Sequence, residues 1–367
     1  MPPMGKFLPP TGKKEPIMNK NPEMNKNSDK KLTIYDIAKI AGVSPATISR
    51  VIHKADYVRE ATRRKVMDAF ETAGITPEML SFKTASVKKA APSFPKVPAI
   101  LAYVPMLSNT FYIDVLDGIQ TYVQDKGCKM IVYSAPLDNY RIDDFLAFAA
   151  SLQISGIITA ARLSEDVLSR LAAAYPLVQC SEYNPVCQNI PYVNVDDYAA
   201  AQKAVIALVR AKCRRIGFFS APRNFTFVQN RYLAYKAALQ EAGLKEYPQY
   251  TVTVADFSYE RILAAAHTYF SMPEFPDGIF AVSDEHAHAV VKAAVSKGIK
   301  IPDDLKVIGF DDTMYATLST PSITTIAQPR QRLGTESARL LLEMIQNPSV
   351  PLPAVTLPTQ ILWRETT

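Results

Sequence analysis

The chain of 367 residues has little of what a membrane protein, a disulfide scaffold or a familiar enzyme is built from. No run of eighteen apolar residues is present to cross a bilayer, and the opening MPPMGKFLPPTGKKEP lacks the apolar core of a signal peptide. A soluble, cytoplasmic protein with no membrane partner is expected. The four cysteines, Cys128, Cys180, Cys187 and Cys213, form no CxxC pair and no Cys/His ligand spacing, and read as free thiols in a reducing compartment. A GxSxG elbow, a GxxxxGKS or GxxxxGKT loop and a GxGxxG turn are all missing. Catalysis, a cofactor and a resident metal are therefore not expected.

Hydrophobic residues make up 48% and aromatics 10% of the chain, enough for two or three packed units. Charge is unevenly placed. Residues 1–96 carry 18 Lys and Arg against 9 Asp and Glu, whereas the remainder carries 23 against 26. A basic front on a mildly acidic body points to a polyanion partner for the front alone. Residues 1–29, rich in Pro, Asn, Lys and Met and without apolar periodicity, read as a disordered tail.

Residues 30–80 read as one small helical domain. Ile34, Ile37, Ala38 and Ala41 recur at helical spacing, Gly42 ends that helix and Val43 turns inward. Ser44 is placed to cap a second helix, and Pro45 suits its first position because the missing N–H would be unpaired there anyway. Ile48, Val51 and Ile52 then face the first helix, together with Val66, Ala69 and Phe70 of a third helix over about Ala61 to Ala73. This leaves Pro45, Ala46, Ser49, Arg50 and His53 on the outer face, with Lys54, Arg59, Arg63, Arg64 and Lys65 around it. A short helix held across a tight turn, with small and polar residues on its free side, is the geometry of a major-groove reader.

The stretch TIYDIAKIAGVSPATISRVI resembles the DNA-binding headpiece of LacI/GalR-type transcription regulators, whose Thr-Ile-x-Asp-Ile-Ala, Ala-Gly-Val-Ser and Thr-Ile-Ser-Arg patterns it carries. The resemblance implies a helix-turn-helix domain on double-stranded operator DNA, contacting it through Tyr35, Ser44, Pro45, Ala46, Thr47, Ser49, Arg50 and His53. Family headpieces begin only a few residues before this segment, which makes Met18 and Met24 alternative starts. Arg59 stands where a serine often caps the third helix. Residues 81–98 read as a basic, proline-containing hinge or linker. In the family this segment holds a short helix whose leucine wedges into the minor groove. Thr84 occupies that place here, leaving Leu80 or Phe82 as a substitute wedge, or the segment as a passive tether.

From Ala99 onward short apolar runs alternate with amphipathic helical stretches. AILAYVP, KMIVYS, GIIT and LVQC come first, and after VNVDD follow RIGFFS, YTVTV, GIFAV and KVIGF. Strands separated by helices argue for βαβ units, hence an α/β fold with doubly wound parallel sheets, and two such series argue for two similar lobes. The order resembles the family's effector domain, which is shaped like a periplasmic binding protein with three strand crossovers and a ligand cleft between the lobes. On that reading residues 99–367 form the effector-binding domain. Its first lobe covers about 99–193 and 328–354, and its second about 194–327 and 355–367.

Ligands of open parallel sheets bind beyond the carboxyl ends of the strands. There the resemblance assigns effector contacts to Phe111 and Tyr112 after the first strand, and to Arg231, Phe257, Asp284 and Asp311. Aromatic walls with arginine and aspartate suit a sugar best, with sugar phosphates and nucleosides also open. Neighbours in Asp196/Asp197 and Asp311/Asp312 point to opposite faces, and His286 and His288 lie about 200° apart around a helix, so neither acid-base chemistry nor metal binding is expected of them. The Val115, Leu116 and Ile119 face and the helix of Leu333–Ile345 are expected to be buried between the subunits of a homodimer. The function implied is that of a sequence-specific regulator, most often a repressor in this family, whose operator affinity a small effector controls. The alternative is a solute-binding receptor or small-molecule enzyme on the same two-lobed body. The basic front and the missing export signal favour the regulator.

Overall fold

The computed structural model describes residues 33–52, 58–77, 98–350 and 352–367, which fall into two compact units, one before and one after position 94. The first unit contains α1 (Ile34–Ala41), α2 (Pro45–Ile52) and α3 (Glu60–Thr72). Thr33 N–H donates to the Asp36 carboxylate at 2.8 Å where α1 begins. The helix ends at Gly42, whose φ of 63° strains any residue with a Cβ. Ser44 Oγ accepts the Thr47 N–H at 3.2 Å, so α2 starts on the residue that the sequence marks, with Pro45 first. Arg59 gives α3 no side-chain cap. Ile37, Ile48, Val66 and Phe70 close a small fully buried core.

The second unit has two lobes. In the first, β1 (Ala99–Tyr103), β2 (Lys129–Tyr133), β3 (Gly156–Thr159), β4 (Leu177–Cys180) and β5 (Tyr192–Val195) alternate with α4 (Phe111–Asp125), α5 (Ile142–Ser151) and α6 (Glu165–Ala174), except that β4 and β5 follow one another directly. The second lobe runs α7 (Asp197–Arg210), β6 (Ile216–Ser220), α8 (Thr226–Glu241), β7 (Thr251–Thr253), α9 (Tyr259–Tyr269), β8 (Gly278–Ala281), α10 (Asp284–Ser296), β9 (Lys306–Asp311), α11 (Met314–Leu318) and β10 (Thr324–Ala327). The chain then returns through α12 (Arg330–Gln346) and β11 (Val355–Leu357) to the first lobe, and ends with β12 (Gln360–Leu362) in the second.

The sheets are ordered β11-β5-β4-β3-β1-β2 and β12-β10-β9-β8-β6-β7. Among the described residues every pairing is parallel except β10 with β12. Apolar clusters cover both faces of each sheet, which is why the strands read as unbroken apolar runs.

Two expectations need correction. The lobe boundaries fall later than the resemblance implies: β5 runs on to Val195 in the first sheet, and β11 still pairs with it through Val355↔Val193, so the last crossover comes after Leu357. Helix α8 begins at Thr226, where its first turn is stabilised from the other lobe. The apolar faces of α4 and α12 pack on each other. Val115, Ile119, Leu333 and Leu341 are fully buried within one chain. The two helices approach so closely that a Cβ on Gly118 would lie 2.0 Å from Gln331 O, and one on Gly334 would lie 2.0 Å from Val115 O.

Candidate functional site

In the first unit, α2 offers a free side built as the sequence requires. Tyr35 is 71% exposed, Arg50 is exposed, and Pro45, Thr47 and Ser49 are half-buried. Ser44 and Thr47 are bonded to each other through their hydroxyls at 2.8 Å, so both serve the start of the helix as well as its surface. Arg59, Arg64 and Lys65 add exposed positive charge. The side chain of Ala46, all of His53, the hinge residues Leu80, Phe82 and Thr84 and the tail 1–29 lie outside the described residues.

In the second unit a cavity opens between the lobes at the carboxyl ends of both sheets. The space between its walls, counted together with the solvent at its open mouth, amounts to about 580 Å³. Phe111, Tyr112, Arg231, Phe257 and Asp311 all line it. Phe111 and Tyr112 stand edge to face with ring centroids 5.3 Å apart, fixed by the Asn109 carboxamide oxygen, which accepts the Phe111 N–H at 2.9 Å. From the other lobe Phe257 packs edge-on to Phe225 and, with Phe227, gives the opposite apolar wall.

Arg231 is 3% exposed and donates three hydrogen bonds within the chain. Its Nε and Nη2 donate to Asp197 Oδ1 at 2.9 and 2.7 Å, Nη1 donates to Val282 O at 2.5 Å, and the guanidinium carbon lies 3.5 Å from the Phe310 ring centroid. Asp311 Oδ1 is 3.7 Å from Nη1 and accepts the Gln328 Nε2–H at 2.7 Å. Burial pushes the Asp311 carboxyl up to about 6, against the pull of Arg231 and the Gln328 hydrogen bond. Its φ is 110°, an uncommon conformation held by Arg330 Nη1, which donates to Asp311 O at 2.9 Å.

Asp284 does not reach the cavity. It is completely buried, with Oδ2 accepting the Thr313 N–H at 2.6 Å and Oδ1 accepting the Thr325 hydroxyl at 2.5 Å. The carboxylate braces the turn after β9, with Oδ1 2.4 Å from where a Gly309 Cβ would sit. Ser283 and Glu285, on either side of it, face the cavity instead. Asp196 caps α7 through the Ala199 N–H at 2.9 Å, while His286 is buried with Nδ1 2.8 Å from Ser283 Oγ. Burial holds that imidazole neutral, with its pKa lowered to about 3.

Sequence reasoning misses the residue that joins the lobes. Glu182, two positions past β4, accepts the Thr226 N–H at 2.8 Å and the Phe227 N–H at 3.3 Å at the start of α8 in the opposite lobe. Arg162 of the first lobe donates to Thr226 Oγ1 at 2.9 Å beside it, and Thr226 Oγ1 donates to Tyr183 O at 3.0 Å. Burial raises the Glu182 carboxyl, opposed by the two backbone donors. Glu182, Glu285 and Gln328 each follow a strand end, the position that singles out Asp311. The same signal could have found all three.

The comparisons divide along the same two units. Residues 33–78 match the model of bacterial regulatory proteins of the lacI family, and residues 205–367 match that of the periplasmic binding protein-like domain. The chain is 30% identical to the HTH-type transcriptional repressor CytR of Escherichia coli over 327 residues, covering 89% of this chain and 93% of that one. It is also 30% identical to catabolite control protein A of Priestia megaterium, covering 92% and 99%. A solved transcriptional regulator, CelR in complex with cellobiose, superimposes with a TM-score of 0.67 at 23% identity, over 92% of this chain and all of that one, and so shares the fold.

Proposed function

The chain belongs to the lacI family of bacterial regulatory proteins, and from that membership we propose that it represses transcription from an operator read by α2, under control of a small sugar-type effector held between its two lobes. The observation that carries the effector half of this reading is the cross-lobe bond of Glu182 to the first turn of α8. A ligand entering beside it changes the relative stability of lobe arrangements, and any arrangement that also affects the headpieces couples the ligand to DNA. The cellobiose carried by the structural neighbour supports a sugar as the class of effector.

The remaining assignments rest on the same reading. Tyr35 from α1 and Ser49 and Arg50 from α2 contact the operator, and Phe111, Tyr112, Arg231, Phe257 and Asp311 contact the effector. The protein works in the cytoplasm and catalyses no reaction on its ligand. It acts as a homodimer, since paired half-sites need paired reading helices. Ile113 on α4 and Val132 on the edge strand β2, 57% and 39% exposed, support the first lobe as the subunit contact. Selection of bound duplexes from a random pool, followed by anisotropy titrations with and without a panel of sugars, tests the reading. A selected sequence whose affinity responds to one sugar is expected. A tight sugar ligand with no sequence-specific DNA binding would favour the solute-receptor alternative, and a monomeric mass in sedimentation would refute the dimer.

A further inference from the structure

Charge and hydrogen-bonding capacity narrow the ligand class beyond the effector reading above, on which this inference rests. Three carboxylates line the cavity, Glu182, Glu285 and Asp311, against one guanidinium, that of Arg231. Arg231 brings no spare positive charge, because the buried Asp197 already takes its Nε and Nη2. Two neighbouring arginines are matched as well, while the exposed Arg223 ahead of α8 lies over the Tyr232 ring. Arg162 lies 3.8 Å from Glu182, and Arg330 is paired with Asp114. With all of these groups but Arg223 counted, five carboxylates stand against three guanidiniums, and Asp284 lies buried behind them.

Anions in such a cleft would seek a helix N-terminus, whose unpaired N–H groups and dipole favour negative charge. At α8 that place is filled from within the chain by the Glu182 carboxylate. Hydrogen-bond acceptors are also in surplus. Gln328 gives its Nε2–H to Asp311, an acceptor only when ionised, and this orients the amide. Its Oε1 is left buried with no partner among the described residues. A ligand donor is what that oxygen lacks. On the protein side, Arg231 has committed three of its five N–H donors to Asp197 and Val282.

We infer that the cleft takes a neutral or cationic ring compound rich in O–H or N–H donors, an unphosphorylated sugar, amino sugar or nucleoside, and rejects the phosphorylated counterpart, with Glu182 setting that exclusion. The ring lies between the Phe111/Tyr112 pair and the Phe227/Phe257 wall. A phosphate ester placed there meets carboxylates with no unpaired cation lining the cavity among the described residues, and the α8 terminus is already occupied by Glu182.

Calorimetric titration of the full chain with matched pairs tests this: ribose and ribose 5-phosphate; glucose, glucosamine and glucose 6-phosphate; adenosine and adenosine 5′-monophosphate. At about pH 7.5 an unphosphorylated member is expected to bind, with its phosphate ester weaker by about 100-fold or more. Glu182→Gln keeps one oxygen, for the closer Thr226 N–H, while removing the charge, and is expected to shrink that ratio by about 10-fold. Should that variant fail to fold, Glu285→Gln is expected to shrink the ratio in the same direction. A phosphate ester that binds as tightly as its parent overturns the inference and leaves the effector reading standing. An unchanged ratio in the folded variant overturns the role of Glu182. If no member of the panel binds, phosphorylated or not, the effector reading itself fails and the exclusion falls with it.

Discussion

Glu182 and Thr226 sit in different lobes, 44 residues apart in sequence, and the carboxylate of the first accepts the backbone N–H of the second at 2.8 Å. The contact substitutes for a missing local cap. Phe225 has no side chain able to accept a hydrogen bond at the start of α8, and the first turn of that helix contains no acidic residue. Replacing Glu182 with Ala leaves two N–H groups in a buried position without their acceptor. A loss of about 1–3 kcal/mol is expected in urea unfolding followed by far-UV circular dichroism. An unchanged midpoint would mean that the lobes hold together without this bond.

Gly118 and Gly334 permit the closest approach of α4 and α12, and each would place a new Cβ 2.0 Å from a backbone oxygen of the facing helix. Backbone cannot yield as a flexible side chain does. Gly118→Ala is therefore expected to cost at least about 2 kcal/mol by forcing the helices apart. Gly127, just past the end of α4, has open space within 4 Å of where a Cβ would point, so Gly127→Ala meets only the strain of a φ of 72° and is expected to cost about 1 kcal/mol. Equal thermal midpoints for the two variants would contradict the packing argument.

Asp311 gives a pH dependence with a definite sign. Its carboxyl rises from an ordinary 3.8 to about 6 on folding, chiefly through burial. Such a group contributes stability that is complete below the unfolded value and is lost as pH rises through the folded one. Burial raises Glu182, Glu285 and Asp284 in the same direction. The wild type is expected to lose thermal stability relative to Asp311→Asn between about pH 4 and pH 7. Parallel curves for the two proteins across that range would show that Asp311 titrates normally.

Arg50 lies exposed towards the end of α2, on the side away from the Ile37, Ile48 and Val66 core. Its loss in Arg50→Ala is expected to reduce operator affinity by about 1–3 kcal/mol. Anisotropy titration with operator DNA measures this directly. Unchanged affinity would remove Arg50 from the interface.

Legibility in the sequence follows the range of the interaction responsible. The Ser44 cap is settled within a few residues, the headpiece core shows as helical spacing in three neighbouring helices, and the buried strands announce themselves as apolar runs, so these are readable. The start of α8 is not, because its cap comes from Glu182 in the other lobe. Asp284 comes shortly after β8 and Asp311 ends β9, yet of the two only Asp311 lines the cavity. Distinguishing them requires knowing that Thr313 and Thr325 converge on Asp284. The α4 face looks unpartnered in sequence for a similar reason, since its partner α12 lies more than two hundred residues further on. Arg231 is legible as a cleft residue, but its pairing with Asp197 changes its meaning from a free cation to a neutralised one.

The central claim is that the interlobe cleft and the operator-reading helix are thermodynamically linked, and linkage is reciprocal. The most direct measurement is the affinity of the full chain for its effector, by calorimetry, with and without a saturating operator duplex. The account predicts that operator shifts effector affinity by the same factor by which effector shifts operator affinity, on the order of 5–150-fold. Effector affinity that is identical in the presence and absence of operator would contradict it.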